Sequence, residues 1–518
     1  MRVLRTSIVL VLAACAGSTP AVTAADPKPE PATITRLIDD AVQKRLDAEK
    51  VPASPTASDA EFLRRVSLDI AGVIPSPDRV TAFLDSKEPD KRARMIDELL
   101  ASPEYARRMT DIWKGLLLPN TAASARQKHD PMVAWLTASF AADKRLDALA
   151  RDVLTAGGLQ DENGAVTFFL THESVDEITD RVSRVFLGVQ LQCAQCHKHP
   201  FGDWTQKEYW GMAAFFTKVK SVYVKTGDVQ RYGAKEDAAS KSKPLLMVPA
   251  SKKTVPPTFL RGEQPELSAD GPYLPTLADW IGSPKNPYFA RAGVNRVWHQ
   301  FFGRGLVNPV DDMTEDNKPS HPKLLTALAG AFADSGFDLK HLIRGICNSK
   351  AYQRTSKPAG NTADKTFYSH MAVKVMTPFQ LSDSLEAVFA LANTDKTPPP
   401  TDATRKVKAG ERSRFAVFFT GEDDPDPTEY QAGIPQALYL MNAGHHYSIA
   451  KAANETVNRM KTPERVVETL FLATLSRPPT DKEAKTMLAH IAKATDKRTA
   501  YHDVLWALIN STEFVSNH

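Results

Sequence analysis

The sequence has little of several features that would assign a protein to a class at once. Four cysteines in 518 residues are too few for a disulfide-stapled scaffold. After the first 25 residues, no apolar run approaches the roughly 18 to 20 residues of a membrane-spanning helix. The chain has no G-x-S-x-G, no P-loop and no dinucleotide-binding fingerprint. The common nucleotide-binding and serine-hydrolase signatures are therefore excluded.

An excess of charge of one sign is also absent. The chain has 65 basic and 61 acidic residues, spread along its length, for a net charge of +4. No basic face is indicated, so we expect no nucleic-acid partner. Apolar residues make up 42% and charged residues 24%, as in globular proteins, and the length suits two or three domains. The 36 prolines divide the chain into short elements and argue against long coiled coils.

What is present begins with an N-terminal targeting segment, Met1–Ala25, in which basic residues precede an apolar stretch and then small residues. Two cleavage modes are open. Cleavage near Ala24 or Ala25 would follow the general signal-peptidase pattern, whereas the lipobox-like string that ends in Cys15 would leave that cysteine lipidated. We therefore expect an exported protein, which is periplasmic, on the cell surface or secreted. A lipid on Cys15 would be its only membrane contact.

Apolar periodicity predicts a mainly α fold of two helical domains, joined by a connector with a small β element. Val219, Val222 and Val224 alternate with polar residues and predict the strand. Lys396–Ala409 is rich in proline and lysine and predicts an exposed loop. The predicted divisions are a Pro-rich lead at 26–33, a first domain at 34–217, the connector at 218–282 and a second domain at 283–518.

Helix signals are strongest around one short cysteine-containing segment and in the second half of the chain. Capping boxes at Ser174–Glu177 and Thr205–Glu208 predict two helices with the cysteine segment as the loop between them. The helices predicted in the second half are 288–302, 321–334, 338–350, 377–391, 434–452, 463–475, 480–494 and 497–510.

The sharpest motif is Cys193-Ala-Gln-Cys196-His197, which has the C-x-x-C-H form of c-type haem attachment. Cys193 and Cys196 would anchor the haem vinyl groups, and His197 would be the proximal iron ligand. Met212, one helix downstream, is a candidate distal ligand. A haem also needs an apolar slot beside His197. Direct packing of Trp204, Trp210 and Phe215 on the loop would exclude that slot.

Two other interpretations of this motif remain open. Cys193 and Cys196 also suit a disulfide or a redox dithiol, because C-x-x-C brings two sulfurs close together. Alternatively, both cysteines with His197 and His199 suit a closed Cys2His2 site for zinc or another metal. The cofactor is therefore haem c, a metal ion or none.

Further polar clusters suggest weaker sites. The acidic stretches 311–316 and 422–426 carry oxygens suited to a hard cation, although acidic turns are usually solvated. Arg291, Asn295, Arg296 and Trp298 fall at helical spacing. Arginine and tryptophan there would suit a polar groove, but we expect a buried ion pair of an arginine with Asp311 or Asp312.

Several longer strings carry a family resemblance. Residues 186–206, around the cysteine motif, and the strings 62–72 and 99–105 closely resemble the second planctomycete cytochrome-C-like domain family. The strings 286–298, 302–306, 319–322, 339–344, 435–438 and 441–442 are similar to its usual partner, a planctomycete-specific domain. The resemblance covers about 34–515. It implies a cytochrome only through the family name, since no function of either domain is established.

The residues and the resemblance leave two functional hypotheses. The first is covalent haem at Cys193, Cys196 and His197, serving redox or electron transfer with a redox partner protein. The second is a non-haem structural or interaction protein of the cell envelope, whose cysteine loop is closed by a disulfide or a metal. A polysaccharide or an envelope component would then be the partner. No catalytic residue is assigned under either hypothesis.

Overall fold

The computed structural model describes most of the chain after the N-terminal segment. The described residues are 30–119, 127–197, 202–238, 246–247, 254–268, 270–360, 365–393, 402–420, 441 and 446–518. The predicted leader with Cys15, His199 and the acidic stretch 422–426 lie outside them.

The predicted mainly α fold with a small β element is confirmed. In chain order, the helices are α1 Pro31–Glu49, α2 Asp59–Val66, α3 Pro77–Asp85, α4 Lys91–Ala101, α5 Pro103–Leu117, α6 Asp130–Ala141, α7 Leu146–Leu154, α8 Thr167–Thr171, α9 Val175–Val182, α10 Gln206–Ala213, α11 Leu274–Ile281, α12 Phe289–Phe302, α13 Pro322–Asp334, α14 Leu339–Cys347, α15 Lys350–Gln353, α16 Pro378–Phe389, α17 Asp402–Thr420, α18 His446–Met460, α19 Pro463–Leu475, α20 Asp481–Lys493 and α21 Lys497–Ile509. Within the described part of the chain, no helix has the length and apolarity to cross a membrane.

Local sequence signals locate most of these helices well. Both predicted capping boxes are present, with the side chain of Ser174 or Thr205 accepting from the backbone of its glutamate and that glutamate accepting in return. Helix α19 has the predicted bounds, Pro463–Leu475. The exposed loop predicted at Lys396–Ala409 is wrong from Asp402 onward, where α17 begins. The high density of lysine there does not oppose a helix, because lysine is a good helix former.

Among the described residues, the β element consists of three small antiparallel sheets. The strands are β1 Gly158–Leu159, β2 Val219–Thr226, β3 Val229–Glu236, β4 Leu246–Met247, β5 Thr254–Val255, β6 Lys374–Val375 and β7 Ser516–Asn517. The connector forms a β2–β3 hairpin, and β1 pairs with the other edge of β3. Strand β7, near the C-terminus, pairs with β6, which precedes it by about 140 residues.

Apolar side chains form two hydrophobic cores. The larger runs from Ile34 to Met371 and is continuous across the predicted boundaries at 217 and 283. The smaller runs from Met376 to Phe514 and also takes in Leu68 and Ile74 from the first part of the chain. The predicted domain boundaries themselves stay predictions. The first and last parts of the chain therefore share packed interfaces, and polar groups at these interfaces are distant in sequence.

Two helices end in a π-helical turn that closes on a left-handed glycine. Helix α2 continues as Ser67–Ala71 to Gly72, at φ 74°, and α9 continues as Ser183–Leu187 to Gly188, at φ 68°. A Cβ on Gly72 would lie 2.8 Å from Cδ of Arg108, so glycine permits α5 to approach closely. Such π turns often occur at functional sites. Here the first one positions Asp69, and the second leads into the cysteine loop.

Candidate functional site

The cysteine loop lies on the surface between α9 and α10, as predicted. Cys193 lies in a 3-10 turn, Gln192–Gln195, and Cys196 follows directly. Cys193, Cys196 and His197 are exposed, and both cysteines are free. Ala194, between the cysteines, is fully buried. The structure therefore brings the three predicted residues to one exposed loop whose inner side packs on the core.

Polar contacts hold the inner side of this loop. The Trp210 indole Nε1 donates to the Gln195 carbonyl at 3.1 Å, and the Gln206 amide donates to the Cys196 carbonyl at 2.7 Å. The Gln195 amide in turn donates to Asp176 on α9 at 2.7 Å. Side chains from both flanking helices thus fix the loop, and none of these hydrogen bonds involves a cysteine sulfur.

The two predicted axial ligands of a haem, His197 and Met212, have different surroundings. Met212 is fully buried in α10, whereas His197 is exposed, so a methionine–iron–histidine axis would need the loop to turn inward. Of the aromatic side chains that bear on the slot, Trp210 packs on the loop, Trp204 lies under the Arg261 guanidinium and Phe215 stacks on Phe259. All three are buried. Of the three, Trp210 alone has a recorded contact with the loop among the described residues, so the packing expected to exclude a haem slot is only partly present. Haem attachment and the distal role of Met212 stay predictions.

The predicted metal site at the cysteine loop has fewer than four of its ligands among the described residues. Among the residues that the structure describes, no group of three or more His, Cys, Asp or Glu side chains is arranged to hold a metal ion. His199, the fourth ligand of the predicted Cys2His2 site, lies outside those residues. That site therefore also stays a prediction.

The acidic stretch 311–316 has a structural role among the described residues. Asp311 is buried and accepts from the Arg184 guanidinium at 3.0 Å and from Gln190 at 2.8 Å. The ion pair expected between Asp311 or Asp312 and the α12 arginines is wrong in its partner, because Arg184 of the second π turn supplies the cation. Arg296 instead donates to the Arg184 carbonyl at 3.0 Å.

A large cavity, which the sequence analysis did not predict, lies between helices from the first part of the chain and elements from its second half. Its volume is about 1020 Å³, and α5, α6, α12, β6, α16 and α17 contribute to its wall. Its lining includes the cationic side chains Arg108, Lys114, Arg304, Lys365 and Lys374, and the carboxylates Asp69, Asp111 and Asp130. A cavity of this size with converging polar groups is the usual form of a small-molecule site.

Two of the three carboxylates already have cationic partners. Asp69 accepts from Lys374 Nζ at 2.6 Å, and the Tyr352 hydroxyl and the Asn517 amide also donate to it. Asp111 accepts two hydrogen bonds from Arg412, at 2.9 and 2.6 Å. Lys374 is thus paired with Asp69, and four cationic side chains of the wall have no ion pair among the described residues. Asp130 is the one wall carboxylate left to balance them. The cavity therefore carries an excess of positive charge.

Arg108 is the most buried of these uncompensated cations. Its Nη1 donates to the Thr377 hydroxyl at 3.2 Å, while its Nε is buried without a hydrogen-bond partner among the described residues. Burial lowers the pKa of Arg108, although Asp111 and Asp69 partly oppose that effect. Burial likewise lowers the pKa of Lys114, whose ammonium lies 6.0 Å from the Phe379 ring. Burial costs both cations part of their hydration free energy. Attraction to an anion bound in the cavity would offset that cost.

His129 at the start of α6 completes this end of the cavity. Its Nε2 is buried without a hydrogen-bond partner in the described structure. Burial, and then the nearby Lys114, lower its pKa from 6.5 to about 4. The imidazole is therefore neutral at pH 7 and offers the cavity a neutral polar edge. His321, outside the cavity, is held in the same way, by burial and Arg45, with its pKa lowered to about 4.

These two histidines predict an acid-sensitive fold. An unfolded histidine titrates near pH 6.5, so between about pH 6.5 and 4 the unfolded chain binds more protons than the folded one. Their contribution to stability is complete above pH 6.5 and is lost as the pH falls toward 4. We expect the His129→Gln/His321→Gln variant to lose less stability than the parent chain between pH 7.5 and 5. Guanidinium unfolding midpoints at both pH values measure this. Equal losses in the two proteins would contradict the assignment.

One signal in the sequence could have pointed to this region. Arg64 and Arg65 in α2, and Asp69 in the π turn that follows, lie among the apolar residues of the string 62–72. All three are buried, and Arg64 donates to carbonyls of Thr474 and Phe514 near the C-terminus. Charged residues buried among apolar side chains are costly unless they are paired. Their position in the string could therefore have indicated a buried polar contact, but not its partners.

Comparison with known proteins agrees with the resemblance in the sequence. Residues 37–221 match the family model PSCyt2, a protein of unknown function (DUF1549), and residues 275–491 match PSD1, a protein of unknown function (DUF1553). No curated protein and no solved structure matches the chain significantly. The chain therefore belongs to the proteins in which a PSCyt2 domain is followed by a PSD1 domain, two families of unknown function.

Proposed function

We propose that this protein is an exported, non-haem binding protein whose cavity accepts an anionic small molecule or chain end. The observation that carries the proposal is Arg108, a buried guanidinium in the cavity wall without a carboxylate partner in the described structure. Guanidinium groups favour bidentate contact with carboxylate, sulfate and phosphate groups. Lys114, on the same helix α5, adds a second cation to the cavity wall.

The remainder of the wall suits an organic ligand rather than a lone inorganic ion. Phe302, Tyr368 and Phe379 contribute aromatic surface, and Ser369, His370 and Asn308 contribute neutral polar groups. Aromatic rings with hydroxyl and amide groups are suited to contact both faces and edges of a polyhydroxylated molecule. An acidic oligosaccharide has sugar rings that would contact this surface and a negative charge that would pair with Arg108. It also agrees with the polysaccharide partner named in the sequence analysis.

Binding to three trisaccharides tests this proposal: one neutral, one carboxylated and one sulfated. Titration calorimetry on the full chain is expected to detect binding of an acidic trisaccharide and none of the neutral one. We expect Arg108→Gln to weaken that binding by about 10-fold to 100-fold, since a hydrogen bond to a charged group contributes about 1.5–3 kcal/mol. Lys114→Gln is expected to weaken it in the same direction.

The matched control is Arg231→Gln. Arg231 lies on β3 outside the cavity wall and pairs with Asp161 and Glu162 at the surface. This variant removes one positive charge, like Arg108→Gln, and is expected to leave the affinity unchanged. Equal binding of the neutral and acidic trisaccharides, or equal affinity in the Arg108→Gln protein and its parent, would contradict the proposal.

The cysteine loop supports the non-haem part of the proposal. Its two thiols are exposed and its inner face is occupied by Trp210 and Gln206, so the described residues favour a loop that closes on itself over one that holds a porphyrin. Export remains part of the proposal and is supported by the pattern of Met1–Ala25. Fractionation of cells that express the full chain, with labelled palmitate to report a lipid on Cys15, tests it.

A further inference from the structure

The three described cysteines differ sharply in their surroundings. Cys193 and Cys196 are exposed and free on the loop between α9 and α10. Cys347 on α14 is completely buried, and burial together with Asp69 raises the pKa of its thiol well above the ordinary value. Thiol chemistry depends on solvent access and on the thiolate form. The loop pair can therefore react with solutes, whereas Cys347 is protected in the folded chain.

The backbone between the two exposed cysteines places them on one side of the loop. Cys193 lies in the 3-10 turn Gln192–Gln195, and Cys196 continues it with φ −102° and ψ −31°. Side chains three residues apart in a 3-10 turn eclipse one another, and three steps of about 2.0 Å separate the Cα atoms by about 6 Å. Disulfides join Cα atoms about 4.4–6.8 Å apart. The spacing of this pair is thus compatible with a disulfide.

The contacts of the loop leave the thiols available in both redox forms. Trp210 and Gln206 bind the carbonyl groups of Gln195 and Cys196, and Asp176 binds the Gln195 amide. None of these bonds uses a cysteine sulfur. Closing or opening an S–S bond therefore requires only rotation of the two cysteine side chains with small backbone adjustment, while α9 and α10 keep their positions.

We propose that Cys193 and Cys196 form a redox-active pair that exchanges with small-molecule disulfides. The thiolate of one cysteine attacks a sulfur of the external disulfide, breaks its S–S bond and releases one external thiolate. The second cysteine, as a thiolate, attacks the mixed disulfide, forms the Cys193–Cys196 bond and releases the second external thiolate. Two protons pass from the protein thiols to the released thiolates. The protein pair loses two electrons and the external disulfide gains them.

This proposal is independent of the anionic ligand proposed for the cavity. Neither Cys193 nor Cys196 belongs to the cavity wall. The two proposals can therefore fail separately, since one is measured by ligand titration and the other by thiol chemistry.

The probe is the glutathione couple, applied to the folded full chain. After equilibration at several ratios of reduced to oxidised glutathione, free thiols are alkylated, and tryptic peptides are weighed. Cleavage after Arg184 and Lys198 places both loop cysteines in one peptide, while Cys347 falls in the peptide 345–350. As the ratio of reduced to oxidised glutathione falls, we expect the loop peptide to change from the doubly alkylated form to an unalkylated one. The mass of that form is two hydrogens below the mass of the unalkylated dithiol peptide. Dithiothreitol is expected to reverse the change.

Cys347 is the internal control, and Cys196→Ser is the matched variant. Cys347 should resist both oxidation and alkylation until the protein is denatured, because it is buried. In the Cys196→Ser protein, Cys193 has no neighbouring thiol and is expected to retain one glutathione as a stable mixed disulfide. Three outcomes would overturn the proposal: a loop peptide that stays doubly alkylated in excess oxidised glutathione, one that carries two glutathiones, or one that carries haem.

Discussion

Asp69→Asn is expected to lower the free energy of unfolding by about 3–5 kcal/mol, the cost of breaking a buried ion pair by removing one partner. The Asp69 side chain is 3% exposed and lies 2.6 Å from Lys374 Nζ. Burial already lowers the pKa of that ammonium, even though Asp69 opposes the effect. In the variant, Lys374 keeps neutral acceptors, namely the carbonyl groups of Gln300 and Phe301 and the new amide oxygen, but no negative charge. Guanidinium unfolding at pH 7.5, followed by far-UV circular dichroism, measures the loss.

The position of Asp69 in the chain makes the effect long-range. The Tyr352 hydroxyl donates to Asp69 at 2.9 Å, and the Asn517 amide donates at 2.7 Å, so the carboxylate joins the first π turn to α15 and to the C-terminal strand β7. Asn517 pairs with Lys374 in the β6–β7 ladder. We therefore expect the variant to loosen the contact between the two cores as well as the ion pair itself.

A double variant separates the buried charge from other effects of the substitution. Asp69→Asn/Lys374→Met removes both charges and keeps the volume, so its loss is expected to be smaller than that of Asp69→Asn alone. Asp161→Asn is the control, because Asp161 is exposed and its partner Arg231 is at the surface, and it should leave the midpoint unchanged. The loss of unfolding free energy in the double variant could instead equal the sum of the losses in Asp69→Asn and Lys374→Met. The two residues would then be uncoupled, and the ion pair would not explain the effect of Asp69→Asn.

The parts of the fold that the sequence predicts depend on local chemistry. Thr205 and Glu208 satisfy each other's backbone groups across four residues, so the pattern alone determined the start of α10. The alternation of Val219, Val222 and Val224 likewise predicted strand β2. Each signal acts over a few residues. Lys396–Ala409 shows the limit, because proline and lysine content suggested a loop where α17 begins at Asp402.

The cavity could not be predicted, because its chemistry depends on residues hundreds of positions apart. Asp69 and Lys374 are separated by 305 residues, and Arg412 reaches Asp111 across 301. Whether Arg108 is an uncompensated cation depends on both of those pairs, which local patterns do not show. The same reason explains the wrong partner of Asp311, since Arg184, in the second π turn, is 127 residues away in sequence.

The second prediction with a large effect concerns the cysteine motif. The full chain, expressed with c-type haem maturation and purified under denaturing conditions, is expected to be colourless, with no α band in its reduced-minus-oxidised spectrum. The physical reason is the surroundings of the loop. A porphyrin anchored at the exposed Cys193 and Cys196 would present both faces to water, because Trp210 and the buried Ala194 occupy the inner side. Such an exposed apolar surface is unfavourable.

A bacterial cytochrome c expressed in the same cells controls for competent maturation. Cys196→Ala is the matched variant, and its spectrum should equal that of the parent chain. A sharp α band that survives denaturation in the parent and disappears in Cys196→Ala would establish covalent haem and contradict both the non-haem proposal and the disulfide exchange. Ligation of that iron by Met212 as well would require His197 and the loop to turn inward from the positions described here, because Met212 is buried whereas His197 is exposed.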